Sequence, residues 1–106
     1  MATTFDKREE GFEKQFVHDE ELRFKAMARR NKMLGLWAAG ILGKSGADAE
    51  AYAKDVVMTE FAEGGDNEVA RKMAVDLQTK GITEQQIRTK MTELLTQAVA
   101  EVKKSG

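Results

Sequence analysis

The sequence predicts an all-α protein: an antiparallel four-helix bundle over residues 21–106, preceded by a partly disordered or marginally helical N-terminal arm over residues 1–20. Three observations carry this. The 106 residues include no proline, and 42% hydrophobic with 33% charged residues suits amphipathic helices. One tryptophan, one tyrosine and five phenylalanines are too few aromatics for a sandwich or barrel. Apolar residues also recur at spacings of three and four, in stretches that glycines separate.

The arm opens with Thr3, Thr4, Phe5 and Asp6, a hydroxyl three residues ahead of a carboxylate, the spacing with which a helix start satisfies its free amides. Phe5, Phe12 and Phe16 then form one stripe at helical period on an otherwise charged segment ending near His18. Gly11 inside it costs about 1 kcal/mol relative to alanine. An isolated helix this short is marginal in water. At Asp19, Glu20 and Glu21 the stripe meets carboxylates and breaks, which separates the arm from the bundle.

Arg23–Gly43 is the central helix of the predicted bundle: it holds no acid, carries Trp37, and from Met33 to Leu42 is apolar nearly all round. Its stripe of Phe24, Met27, Leu34 and Ile41 has polar Asn31 in line. Gly35, Ala39 and Gly43 form a small-residue line along which a neighbouring backbone can come close. Gly43 is a natural stop, and Ser45, Gly46, Ala47 and Asp48 a natural restart. A second helix runs through Ala49, Tyr52, Ala53, Val56, Val57 and Phe61, ending at Gly64 and Gly65. Asp66 or Asn67 is expected to cap a third, short helix through Val69, Ala70, Met73, Ala74 and Leu77, closed by Lys80 and Gly81. Thr83 and Gln86 make a capping box, with Ile82 and Ile87 as its hydrophobic staple. Ile87, Met91, Leu94, Leu95, Ala98 and Val102 continue to the tail.

Composition excludes several classes of function. Without cysteine there is no disulfide framework, thiol nucleophile or thiolate metal site, and one histidine cannot make a multi-histidine centre. The longest apolar run falls short of the roughly 20 residues that span a bilayer. No secretory signal is expected, and the chain reads as cytoplasmic. The net charge of -1 hides blocks: -4 over residues 1–21, +6 over 22–44, and -4 over 45–65. Acidic blocks on both sides of the basic helix oppose a nucleic-acid partner.

Ala38 to Ser45 (AAGILGKS) matches a phosphate-binding loop except for its first glycine, but that loop needs a strand before it and here a helix precedes. Gly43 as helix stop, Lys44 beside the negative helix end and Ser45 as the next cap account for every residue. Arg29, Arg30 and Lys32 form the densest basic cluster. They read either as a site for phosphate or a partner's carboxylates, or as a solvated helix flank paired with acids of the second helix or of the N-terminal arm. His18, beside Asp19 and Glu20, is the one side chain whose ordinary titration lies near neutrality. The Phe5, Phe12 and Phe16 stripe is surplus to a bundle already supplied with four apolar faces, and surplus amphipathic helices bind partner grooves.

With FDKREEGFEKQF at 5–16 and HDEELRFKAMARRNKMLGLWAAGILGKSGADAEAYAKDVV at 18–57, the chain resembles the zeta subunit family, the ATPase inhibitors of alphaproteobacterial F-type ATP synthases. The resemblance implies a four-helix bundle carrying an inhibitory N-terminal segment that inserts at a catalytic alpha/beta interface of the synthase head. There it blocks rotation in the hydrolysis direction. Phe5, Phe12 and Phe16 would be its apolar anchors, and Asp6, Arg8, Glu9, Glu13 and Lys14 its polar contacts. The implied partners are the alpha, beta and gamma subunits, with the protein peripheral to the inner membrane and not inserted in it. It is expected to be a monomer when free, non-enzymatic, and without a required cofactor. The family is also associated with weak ATP or ADP binding, for which Arg29, Arg30, Lys32 and Lys44 are the candidates. An adenine-nucleotide-binding sensor is therefore the alternative to an inhibitor.

Overall fold

The computed structural model describes residues 20–61 and 64–105, so the Phe5, Phe12, Phe16 and His18 expectations lie outside the described residues. The described residues form α1 (Glu20–Ile41), α2 (Gly46–Glu60), α3 (Gly65–Asp76), a 3₁₀ turn at Gln78–Lys80 and α4 (Glu84–Ser105). Helix α1 packs against both α2 and α4, and α3 closes the other side against the same two helices. Neighbours run antiparallel: Gly35 of α1 meets Ala53 of α2, and Arg29 of α1 meets Glu101 of α4. The predicted central helix is central.

The turns obey their residues. At the end of α1 the amide of Lys44 donates to the Ala39 carbonyl at 2.8 Å and that of Gly43 to Gly40 at 3.1 Å, with Gly43 at φ 80°. This is the paired-bond stop that requires a left-handed residue. The same pattern closes the 3₁₀ turn. There Ile82 donates to Leu77 at 3.4 Å and Gly81, at φ 75°, to Gln78 at 3.0 Å. The capping box is present in both directions, with Gln86 N–H donating to Thr83 Oγ1 at 3.1 Å and Thr83 N–H to Gln86 Oε1 at 2.8 Å.

Three expectations are corrected. Helix α3 is capped by Gly64, in the left-handed region, and not by Asp66 or Asn67; Asp66 lies in the first turn, where its carboxylate is held by Arg30. That helix ends at Asp76, before the 3₁₀ turn, and so does not reach Lys80. Phe61 falls beyond the end of α2, where its ring stacks at 5.2 Å on Phe24, and both are more than half exposed. Ser45 takes its expected capping position but makes no side-chain hydrogen bond there.

Two apolar clusters fill the interior. The larger joins Leu34, Val56, Val69, Met73, Leu77 and Ile87, with Trp37 partly buried at its edge under Lys90 Nζ, 5.6 Å from the ring centre. The smaller joins Ala26 to Val99 and Val102. At Gly35 an added Cβ would lie 2.5 Å from the Ala53 Cα, so the predicted close approach exists and falls between α1 and α2.

Candidate functional site

Arg30 and Asn31, adjacent on α1, are both buried, although only Asn31 lies in line with the apolar stripe. A buried guanidinium is costly unless its donors are matched by charge, and here they are. Arg30 Nη2 donates to Asp66 Oδ1 at 2.6 Å and to Glu60 Oε1 at 3.3 Å, while Nε donates to Asn31 Oδ1 at 2.9 Å. Asn31 Nδ2 closes the ring by donating to Glu60 Oε1 at 3.1 Å. One residue pair of α1 thus ties the end of α2 to the start of α3. Burial, together with a hydrogen bond and like charge from Asp66, pushes the Glu60 carboxyl up to about 7; Asn31 and Arg30 pull the other way without overcoming it.

A second polar group closes the opposite end of α2 and α3. The Tyr52 hydroxyl donates to Asp76 Oδ2 at 2.7 Å, and Lys72 Nζ donates to the same oxygen at 2.9 Å. Burial and this bond push the Tyr52 phenol up. Burial opposes the Asp76 charge, but the bonds from Lys72 and Tyr52 outweigh it and hold that carboxyl below its ordinary range. Lys44 and Lys72 lie 5.9 and 4.9 Å from the Tyr52 ring centre, within cation–π range.

The four cations selected from the sequence are not brought to one place. Arg30 is spent on Glu60 and Asp66. Arg29 pairs with Glu101 at 3.0 Å but still borders, with Lys32, an open groove of about 790 Å³ on the outer side of α1. Lys44 stands apart, at a shallow pocket with Tyr52, Lys72 and Asp76. The polar roles of Glu60, Asp66, Tyr52, Lys72 and Asp76 in these groups were not read from the sequence. Only Asn31, a polar residue on an apolar stripe, signalled that an internal polar layer was coming. Among the described residues no group of three acids or histidines could hold a metal ion, and no helix is long and apolar enough to cross a membrane.

Buried polar residues that brace the helices, beside an open and largely apolar groove, place the chain among small helical bundles. The comparisons with known proteins make the class specific. The chain belongs to the family described as ATPase inhibitor subunit zeta, whose family model matches residues 1–101. Membership supports a role as an inhibitor of ATP synthase and implies interaction with that enzyme; the family is one of inhibitor subunits, which are not normally catalytic. Among solved structures, one determined by solution NMR is 45% identical in sequence and superposes with a TM-score of 0.71, over 80% of this chain and 99% of that one. Comparison with curated proteins returned no match.

Proposed function

We propose that this protein inhibits ATP hydrolysis by inserting residues 1–20 at a catalytic alpha/beta interface of the ATP synthase head, against the gamma subunit, while the bundle holds the arm in place. The observation that carries this reading is that the family match begins at residue 1, so the segment bearing Phe5, Phe12 and Phe16 belongs to the region that the inhibitor family shares. A segment only marginally helical alone can order inside a groove, which costs entropy but keeps inhibition reversible. The three rings supply the apolar area, and Asp6, Arg8, Glu9, Glu13 and Lys14 the polar contacts. Obstruction of rotation requires no chemistry from the inhibitor.

Hydrolysis by purified synthase tests this, with the full chain and with a triple variant Phe5→Ala, Phe12→Ala and Phe16→Ala. Slowing by the full chain and its loss in the variant are expected. Equal inhibition by both would exclude the arm as the effector.

A second reading, an adenine-nucleotide sensor, is favoured by the two ammonium groups of Lys44 and Lys72 beside the Tyr52 ring. ATP titration followed by the Tyr52 resonances checks it, and silence at millimolar nucleotide ends it.

A further inference from the structure

The outer face of α1, between α2 and α4, is an apolar groove with a cationic border. Its walls are Leu22, Phe24, Met33 and Leu36 from α1, Val57 from α2 and Val102 from α4. From Leu22 to Leu36 it runs about 20 Å, the length of a helix of roughly four turns. At its α1 start the exposed Phe24 and Phe61 rings, with exposed Met58 on α2, extend the apolar surface. Exposed apolar surface of this continuity marks interaction sites.

The charge is one-sided. Lys25, Arg29 and Lys32 of α1 all line the groove, and Lys32 makes no ion pair among the described residues. Lys54 of α2, likewise without an ion pair among them, shares with Lys32 an adjoining depression whose one acid is Glu50. Among the described residues Lys25 is held only by an exposed contact to Glu21 at 3.7 Å, and such pairs are worth little. Phosphate alone would not use the hydrocarbon, and a wholly apolar partner would not use the cations. An amphipathic helix with an acidic flank uses both.

The groove's position names the protein that supplies this helix. It begins at Leu22 and Phe24, one turn after residue 20, where the arm joins the bundle. Any body that takes the arm along its length therefore lies beside the groove's mouth. From this continuity and the charge pattern we infer that the groove of α1 docks an acidic, amphipathic helix on the ATP synthase surface that borders the arm's entry. The inference rests on the inhibitor reading. It divides the work: the arm blocks, and the groove supplies affinity.

The test measures two quantities on full-length chains, the Kd for the purified synthase head and the residual hydrolysis at saturation. The groove variant Phe24→Ser with Lys32→Glu changes exposed or partly exposed side chains, and circular dichroism checks that it stays folded. It should raise Kd about tenfold or more, with full inhibition at saturation and a weaker dependence of Kd on salt. The triple phenylalanine variant of the arm should lose inhibition yet retain salt-sensitive binding that the groove variant removes. An unchanged Kd in the groove variant overturns the docking inference whatever the arm does. Loss-free inhibition by the arm variant overturns the arm reading, and the Kd comparison still decides the groove. Sedimentation of the free chain should show a monomer; a dimer that the groove variant dissolves would assign the face to a second copy and also overturn the inference.

Discussion

Glu60 offers a quantitative check on the internal polar layer. Its carboxyl is raised from 4.5 to about 7 in the folded chain because it is buried beside Asp66. Arg30 and Asn31 of α1 and Asp66 of α3 face it directly, and Arg88 of α4 borders the same pocket as Arg30 and Asp66. A carboxyl that binds its proton more tightly when folded stabilises the fold as pH falls. The contribution is complete below the unfolded value near 4.5 and is lost as pH rises through about 7. A tenfold change in proton affinity is worth about 1.4 kcal/mol, so the ceiling is about 3 kcal/mol. Solvent at Asp66, whose side chain is 42% exposed, reduces the expected gain to about 1–2 kcal/mol between about pH 8 and about pH 5. Glu60→Gln keeps an oxygen for Arg30 and Asn31 but has no proton to bind. Urea unfolding followed by Trp37 fluorescence at several pH values should therefore show wild type gaining on the glutamine variant as pH falls. Parallel stability curves for the two proteins would refute the assignment of a titrating carboxyl to this layer.

Gly35→Ala should destabilise by about 1–3 kcal/mol because its Cβ would meet the Ala53 backbone at 2.5 Å, and α1 and α2 must move apart. Gly40→Ala, in the same helix with nothing within 4 Å of the added carbon, should stabilise by up to about 1 kcal/mol; thermal melts of the pair separate packing from helix propensity. Tyr52→Phe removes the 2.7 Å bond to Asp76 and should cost about 1–2 kcal/mol, with the Asp76 carboxyl titrating at higher pH in carboxyl-carbon NMR. Thr83→Ala opens the capping box and should cost about 1 kcal/mol by denaturant unfolding, while Thr92→Ala, further along α4, serves as the uncapped comparison.

The helices were legible because their signals are local. Thr83 and Gln86 identify a helix start by their own spacing, and Gly43 and Gly81 identify stops because a left-handed residue is needed there. The family resemblance was equally legible, and the match over residues 1–101 bears it out. What the sequence hid was pairing across the fold. Arg30 looked like its exposed neighbours Arg29 and Lys32, because nothing local reveals that Glu60 and Asp66, thirty and thirty-six residues away, converge on it. Phe24 and Phe61 looked like core since they keep the apolar period, but α2 ends at Glu60, and Phe61 meets the Phe24 ring with both more than half exposed. The cap of α3 was misassigned for a related reason: Asp66 was needed by a distant guanidinium more than by its own helix start.

The two hydrocarbon clusters of this bundle could tolerate sliding, since greasy contacts have no preferred bearing. The guanidinium between them cannot. Displacing α2 by one turn, about 5.4 Å, would strand Arg30 from Glu60, and displacing α3 would strand it from Asp66, so that single charged key selects one alignment out of several that hydrocarbon alone would permit. The groove wall that Val57 of α2 builds against Met33 and Leu36 of α1 therefore keeps a single register.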